Sequence, residues 1–181
     1  MKSKTTKDLE QFALNTFKKL GTFLCFEVGI NIKQSAYPLW YERALKKNIK
    51  SKLTEVPKKV QREITEIVDL LTWEKSKNIW RCYEIKSSIQ DFNSGHHITF
   101  VGHFNYYIMP KELYKKVKDI IPDYVGVYVP QGRCLISIKK AKKQKLAVSE
   151  DLLQYSLMKS LYRDVEKIRK QLKKLDKSNK L

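Results

Sequence analysis

ITEIVDLLTW (64–73), EKSK (74–77) and NIWRCYEIKSS (78–88) read together as two strands and the turn between them. Both runs are rich in β-branched and aromatic residues, and EKSK is polar. The sequence predicts an antiparallel hairpin. Along a strand, alternate side chains share a face. Glu84 and Lys86 are therefore expected on one face and Ile85 on the other. Asp69 lies on the first strand, where hairpin pairing is expected to bring its carboxylate beside Glu84.

Working outward, TKDLEQFALNTFKKL (6–20) has helical apolar spacing and ends at Gly21. TFLCFEVGI then reads as a strand. Residues 31–62 are basic, contain Pro38 and Pro57, and carry a short helical pattern around Tyr41 to Ile49; they read as an insertion or a long functional loop. Downstream of the hairpin, IQDFNSGHH reads as a loop and Asn105 to Met109 as part of an aromatic strand. Pro110 opens a helix, KELYKKVKDII, which Pro122 stops. YVGVYV and CLISI are two further strands joined by PQGR. The last segment, Ser149 to about Asp176, is a long helix with Ser149 as N-cap and Glu150 and Asp151 in its first turn. The expected fold class is α/β (α+β): a central mixed β-sheet flanked by helices, with the 64–88 hairpin at its centre. The expected domains are an α/β unit over 1–148, carrying the basic insertion 31–62, and a basic C-terminal helix over 149–181.

Composition narrows the partners. The chain has 181 residues and a net charge of +18, with 42% hydrophobic residues. That suffices for a core, and the charge exceeds what solubility needs; nucleic acid is the expected partner, which the resemblance described below narrows to DNA. An anionic membrane surface is the alternative. Residues 139–181 hold fourteen Lys and Arg against five Asp and Glu, half of the net charge. Cys25, Cys82 and Cys134 are widely spaced and match no zinc pattern, so they read as buried free thiols. The N-terminus has no apolar signal core, and no apolar run approaches a transmembrane span, so the expected location is the cytoplasm.

The chemistry rests on Asp69, Glu84 and Lys86. Two neighbouring carboxylates resist joint ionisation unless a cation lies between them. Mg²⁺, or Mn²⁺, takes one or two carboxylates and keeps several waters, and it can polarise a phosphate oxygen. Lys86 would position the attacking water or stabilise the charge growing on the phosphate. Ser88 shares the Lys86 face if the strand continues that far. Glu84-Ile85-Lys86 is the chain's only acid-x-Lys triplet, and it falls on the best central strand.

VDLLTW, CYEIKSSIQDF and NYYIMP, in that order, resemble the PD-(D/E)xK nuclease superfamily, and most of all its MmcB-like branch of DNA-repair proteins. Asp69, Glu84, Lys86, Ser88, Asp91, Phe92 and Pro110 match the order of that branch, over about residues 8 to 140. The resemblance implies a restriction-endonuclease-like fold whose first helix packs on a central mixed sheet. It also implies metal binding by Asp69 and Glu84, with the Ile85 carbonyl completing the shell. A further acid from the first helix or strand is implied as well; Glu10 and Glu27 both qualify, and Glu27 is favoured for its strand-like surroundings. The insertion 31–62 has no counterpart in the pattern.

Other residues carry two readings each. SGHHI (94–98) resembles the GHH variant of the HNH nucleases, but an aromatic strand follows where that unit needs a helix. Lys139, Lys140, Lys142 and Lys143 read as a solvated loop or as phosphate contacts. Phe104, Tyr106 and Tyr107 read as core, with one tyrosine of the pair facing the site. Trp40 and Tyr41 read as a stacking pair for unpaired bases. Asp91 is a turn residue or a support for the site. The expected activity is metal-dependent phosphodiester hydrolysis on DNA. The alternative is a noncatalytic DNA-binding or scaffold protein with the same fold. The sequence leaves the oligomeric state open; two linked cuts would favour a homodimer, for which the terminal helix could supply the contact.

Overall fold

Ser3 starts helix α1 (Lys4–Phe17): its hydroxyl accepts the Thr6 N–H at 3.1 Å. The computed structural model describes residues 2–32, 64–94 and 100–178. The helix ends before the sequence pattern does, because Lys18 is extended and Gly21 (φ 78°) turns the chain into the first strand. Leu20, expected on the apolar stripe, is instead fully exposed.

The strands are β1 (Thr22–Ile32), β2 (Ile64–Glu74), β3 (Ile79–Ile85), β4 (Phe104–Ile108), β5 (Val125–Gln131) and β6 (Cys134–Lys139). They form one six-stranded sheet in sequence order. β1–β2, β2–β3 and β5–β6 are antiparallel; β3–β4 and β4–β5 are parallel. The sheet is thus mixed, with the expected hairpin inside it, and the EKSK turn contains a short 3-10 segment, Lys75–Lys77.

Two connections differ from the expectation, and the terminal helix starts where expected. β3 stops at Ile85, and IQDFN forms a short helix, α2 (Ile89–Asn93), capped by Ser88. Helix α3 (Lys111–Val117) gives way to a 3-10 turn over Lys118–Ile120. The terminal helix, α4 (Glu150–Ser178), starts after Ser149, whose hydroxyl accepts the Leu152 N–H. The insertion, apart from Asn31 and Ile32 of β1, lies outside the described residues, as do Trp40, Tyr41 and the two histidines of SGHHI.

Two layers cover the sheet. Val28, Ile30, Val68, Leu71 and Cys82 pack with Leu153 and Leu157 of α4. Leu70, Tyr83, Ile85 and Ile108 pack with Leu9 and Ala13 of α1. Behind β4 and β5, Tyr107, Val125 and Val127 pack with Leu113 and Val117 of α3. Tyr106 stacks on Tyr83 (5.2 Å), and its ring leaves no room on Gly126, where an added Cβ would meet it at 2.4 Å. Burial of Cys25 and Cys82 agrees with the sequence reading, but Cys134 is exposed on the edge strand.

One irregularity shapes the functional end of the sheet. Cys25 and Val28, three residues apart, belong to the same core cluster, and so do Val68 and Leu71. Regular alternation would put the members of each pair on opposite faces. The face therefore resets at Glu27 and Asp69, the two positions that the β1–β2 ladder skips between Phe26↔Leu70 and Val28↔Val68. Glu27 has φ 50°, a left-handed conformation rare for a residue with a side chain.

Candidate functional site

The pairing of β2 with β3 ends at Leu70↔Tyr83, just before Asp69 and Glu84. Beyond that point β2 stays with β1, while β3 continues beside β4 to Ile85↔Ile108. The two central strands therefore part, and a cleft of about 440 Å³ opens between them. Its lining includes Asp69, Glu84, Ile85 and Lys86, with Glu10 from α1 and Asp91 from α2.

The parting frees the Ile85 N–H from the β2–β3 ladder, and Asp69 takes it: Oδ2 accepts that N–H at 2.8 Å. The next amide, Lys86 N–H, donates to the Ile108 carbonyl at 2.9 Å. The Asp69 side chain thus replaces a missing strand partner and is fixed by the backbone of the residue beside Glu84. Burial pushes its carboxyl above the ordinary value, and the Ile85 N–H and Lys86 only partly pull it back. Glu84 is 2% exposed and Lys86 5%. The side chains of one lysine and two acids are thereby held in one largely buried recess.

Asp91 organises the floor. Its Oδ2 accepts the Ser87 N–H at 2.8 Å and the Ser87 hydroxyl at 3.1 Å. Oδ1 lies 4.0 Å from Lys86 Nζ. The Ser88 hydroxyl accepts the Asp91 N–H at 3.1 Å. Both readings of Asp91 hold: it is a helix-start residue and also a support for Lys86. Ser88 is a correction: because the strand ends at Ile85, its hydroxyl is spent on the helix cap and does not continue the Lys86 face.

Glu10 and Glu27 meet through a residue that had no signal in the sequence. Lys2 is ion-paired with Glu10 and, at 2.8 Å, with Glu27. The hydrogen bond from Lys2 holds the Glu27 carboxyl below its ordinary value against a smaller burial effect. Glu10 lines the cleft itself, and Glu27, the favoured candidate, joins it through Lys2. The kink at Glu27 is held from the other side of the sheet. Arg163 of α4 donates to the Glu27 carbonyl at 2.8 Å and to the Phe26 carbonyl at 3.1 Å.

The lysine loop is not brought to the cleft. Lys139 Nζ donates to the carbonyls of Ile121 (3.1 Å) and Pro122 (2.8 Å), so it ties down a turn. Lys142 lies 3.9 Å from Asp123, and its N–H binds the Tyr124 carbonyl just before β5 begins. Lys140 and Lys143 are exposed. Tyr106 joins the α1 layer, whereas Tyr107, the partner of Glu84 in the β3–β4 register, is buried beside Phe92 and Phe100, and burial and then the Glu84 charge push its hydroxyl pKa up.

No family model matches the chain, and no curated protein matches it. The fold is similar to a solved structure, the SPO1766 protein of unknown function from Silicibacter pomeroyi. That likeness has a TM-score of 0.56 and 13% identity, and it covers 93% of this chain and 92% of that one. It concerns the fold alone.

Proposed function

We propose that the chain hydrolyses phosphodiester bonds in DNA with the help of a divalent cation. The observation that carries the reading is the convergence of Asp69, Glu84, Ile85 and Lys86 on one cleft where the central strands part. The donor set is hard oxygen, as Mg²⁺ and Mn²⁺ prefer. Asp69 spends only Oδ2 on the Ile85 N–H, so Oδ1 is left to face an ion. Among the described residues no three His, Cys, Asp or Glu side chains form a metal-holding group. Asp69, Glu84 and the Ile85 carbonyl are the proposed ligands, with water filling the remaining positions. A bound ion would polarise the phosphate and acidify a water.

The chain's own residues do the rest. Asp69 is orientated by the backbone it binds. Lys86, steadied by Asp91, offers positive charge in a recess where water screens it little, so it favours the transition state over the less charged ground state. The net charge of +18 draws a polyanion toward the molecule whatever its sequence.

The test is cleavage of labelled DNAs and RNAs in Mg²⁺, Mn²⁺ or EDTA by wild type, Glu84→Gln and Lys86→Met. The expected result is metal-dependent cutting of DNA that falls by at least about a hundredfold in either variant. Wild type that binds DNA without cutting it, or Glu84→Gln that cuts as well as wild type, overturns the reading in favour of a binding module.

A further inference from the structure

Helix α4 outruns the sheet that supports it. Leu153 and Leu157 are buried, and Leu161 still packs on the core. From Lys167 to Asp176 every side chain is exposed. A helix free of tertiary contact is marginal in water, because packing of an apolar face supplies most of a helix's stability. This one has an apolar face to offer. Met158, Val165, Leu172 and Leu161, Ile168, Leu175 alternate at spacings of three and four, which is a heptad seam. Met158 is 70% exposed, and Ile168 and Leu172 are 55% exposed each. Leu161 is the one seam residue that also touches the core; the other five are each more than half exposed among the described residues.

We propose that the seam pairs with the same seam of a second copy, as a parallel two-helix coil. Charge complementarity at the flanks of the seam, with most of the helix's lysines on its other faces, selects this occupant. In a parallel pair, Asp164, which also pairs with Arg163 of its own helix, flanks the seam five positions before Arg169 of the other helix, itself paired with Glu166, and this is the spacing at which such flanking residues meet. Gln171 stands in the same relation to Asp176. A polyanion or an anionic lipid surface would instead meet the carboxylates of Asp164 and Asp176 along a narrow apolar strip. Tyr155 (61% exposed) and Tyr162 (67% exposed) widen the apolar strip beside the seam. The pairing is isologous and therefore closes at two copies. It stands on the helix alone and is independent of the chemistry proposed for the cleft.

Light scattering on the full chain after size exclusion tests the proposal, with Ile168→Lys/Leu172→Lys as the disrupting variant. The expected mass is twice 21.4 kDa for wild type and 21.4 kDa for the variant, with circular dichroism of the core unchanged. Leu172→Cys in a Cys134→Ser background should form a covalent dimer on mild oxidation, since like positions face each other only in a parallel pair. A monomeric wild type, any other mass, or a dimer that survives the double lysine overturns the proposal. So does failure of the Leu172→Cys crosslink. A monomer that sediments with phosphatidylserine vesicles would assign the seam to a lipid surface.

Discussion

At Asp69 two demands conflict. Its carboxylate completes the backbone bonding of the parted strands, yet burial raises its proton affinity. Removing the charge should therefore favour folding while removing the proposed function. Asp69→Asn keeps an oxygen for the Ile85 N–H, and its melting temperature at neutral pH should rise by about 2–4 °C, the effect of about 1 kcal/mol in a chain of this size. The same protein should show no metal-dependent cleavage. A melting temperature below that of wild type would mean that the native site stabilises the charge. His103 gives a prediction of opposite form. Its Nδ1 accepts the Trp80 N–H at 3.1 Å, which requires the neutral ring. Burial, the largest cause, and then Lys143 lower its pKa from 6.5. The unfolded chain therefore binds the proton more readily, so this contribution to stability is complete above 6.5 and is lost as pH falls through the folded pKa. Urea midpoints measured from about pH 8 to about pH 5 should decline in wild type and decline less in His103→Asn.

At the scale of elements, the kink shared by β1 and β2 decides where the site faces. Glu27 holds a left-handed conformation that costs roughly 1 kcal/mol, and Arg163 satisfies the carbonyls that the kink exposes. Arg163→Ala should lower unfolding free energy by about 1–3 kcal/mol. Glu27→Gly should lower it far less or raise it, because glycine adopts that conformation without strain. Chemical denaturation of the two variants separates strain from support. The hairpin itself was legible, because EKSK divides two β-forming runs of strand length. Its asymmetry was not. Alternation along a strand has no memory of which partner is present, so nothing in ITEIVDLLTW announces that pairing with β3 stops at Leu70. The same blindness carried the second strand to Ser88: IKSS is compatible with extended chain, and only the reach of Asp91 back to Ser87 and the Ser88 cap turn it into a helix start.

For the whole molecule, the net charge of +18 sets how the proposed association with DNA should respond to salt. Affinity for short duplex DNA should fall by at least about a thousandfold between roughly 50 and 200 mM salt if six or more phosphates are contacted. Fluorescence anisotropy across a salt series measures the slope, and a flat response would rule out backbone contacts as the source of affinity. Self-association should respond in the opposite sense, since salt screens the repulsion between two copies of like charge.

The sequence by itself determined the alternation of elements, the hairpin, the capped terminal helix and the unique Glu84-Ile85-Lys86 triplet, because these follow from local periodicity, caps and spacing. Asp69 does meet that triplet in space, but through the Ile85 N–H at the point where hairpin pairing ends, not by pairing beside Glu84. Tertiary structure alone decided that β2 and β3 part to make a cleft, that Lys2 joins Glu10 to Glu27, that Arg163 braces the kink, and that the lysine loop stays away. Each of these depends on contacts between residues far apart in the chain, or on which backbone groups are left without a neighbour. Such information exists only once the strands have been packed against their helices.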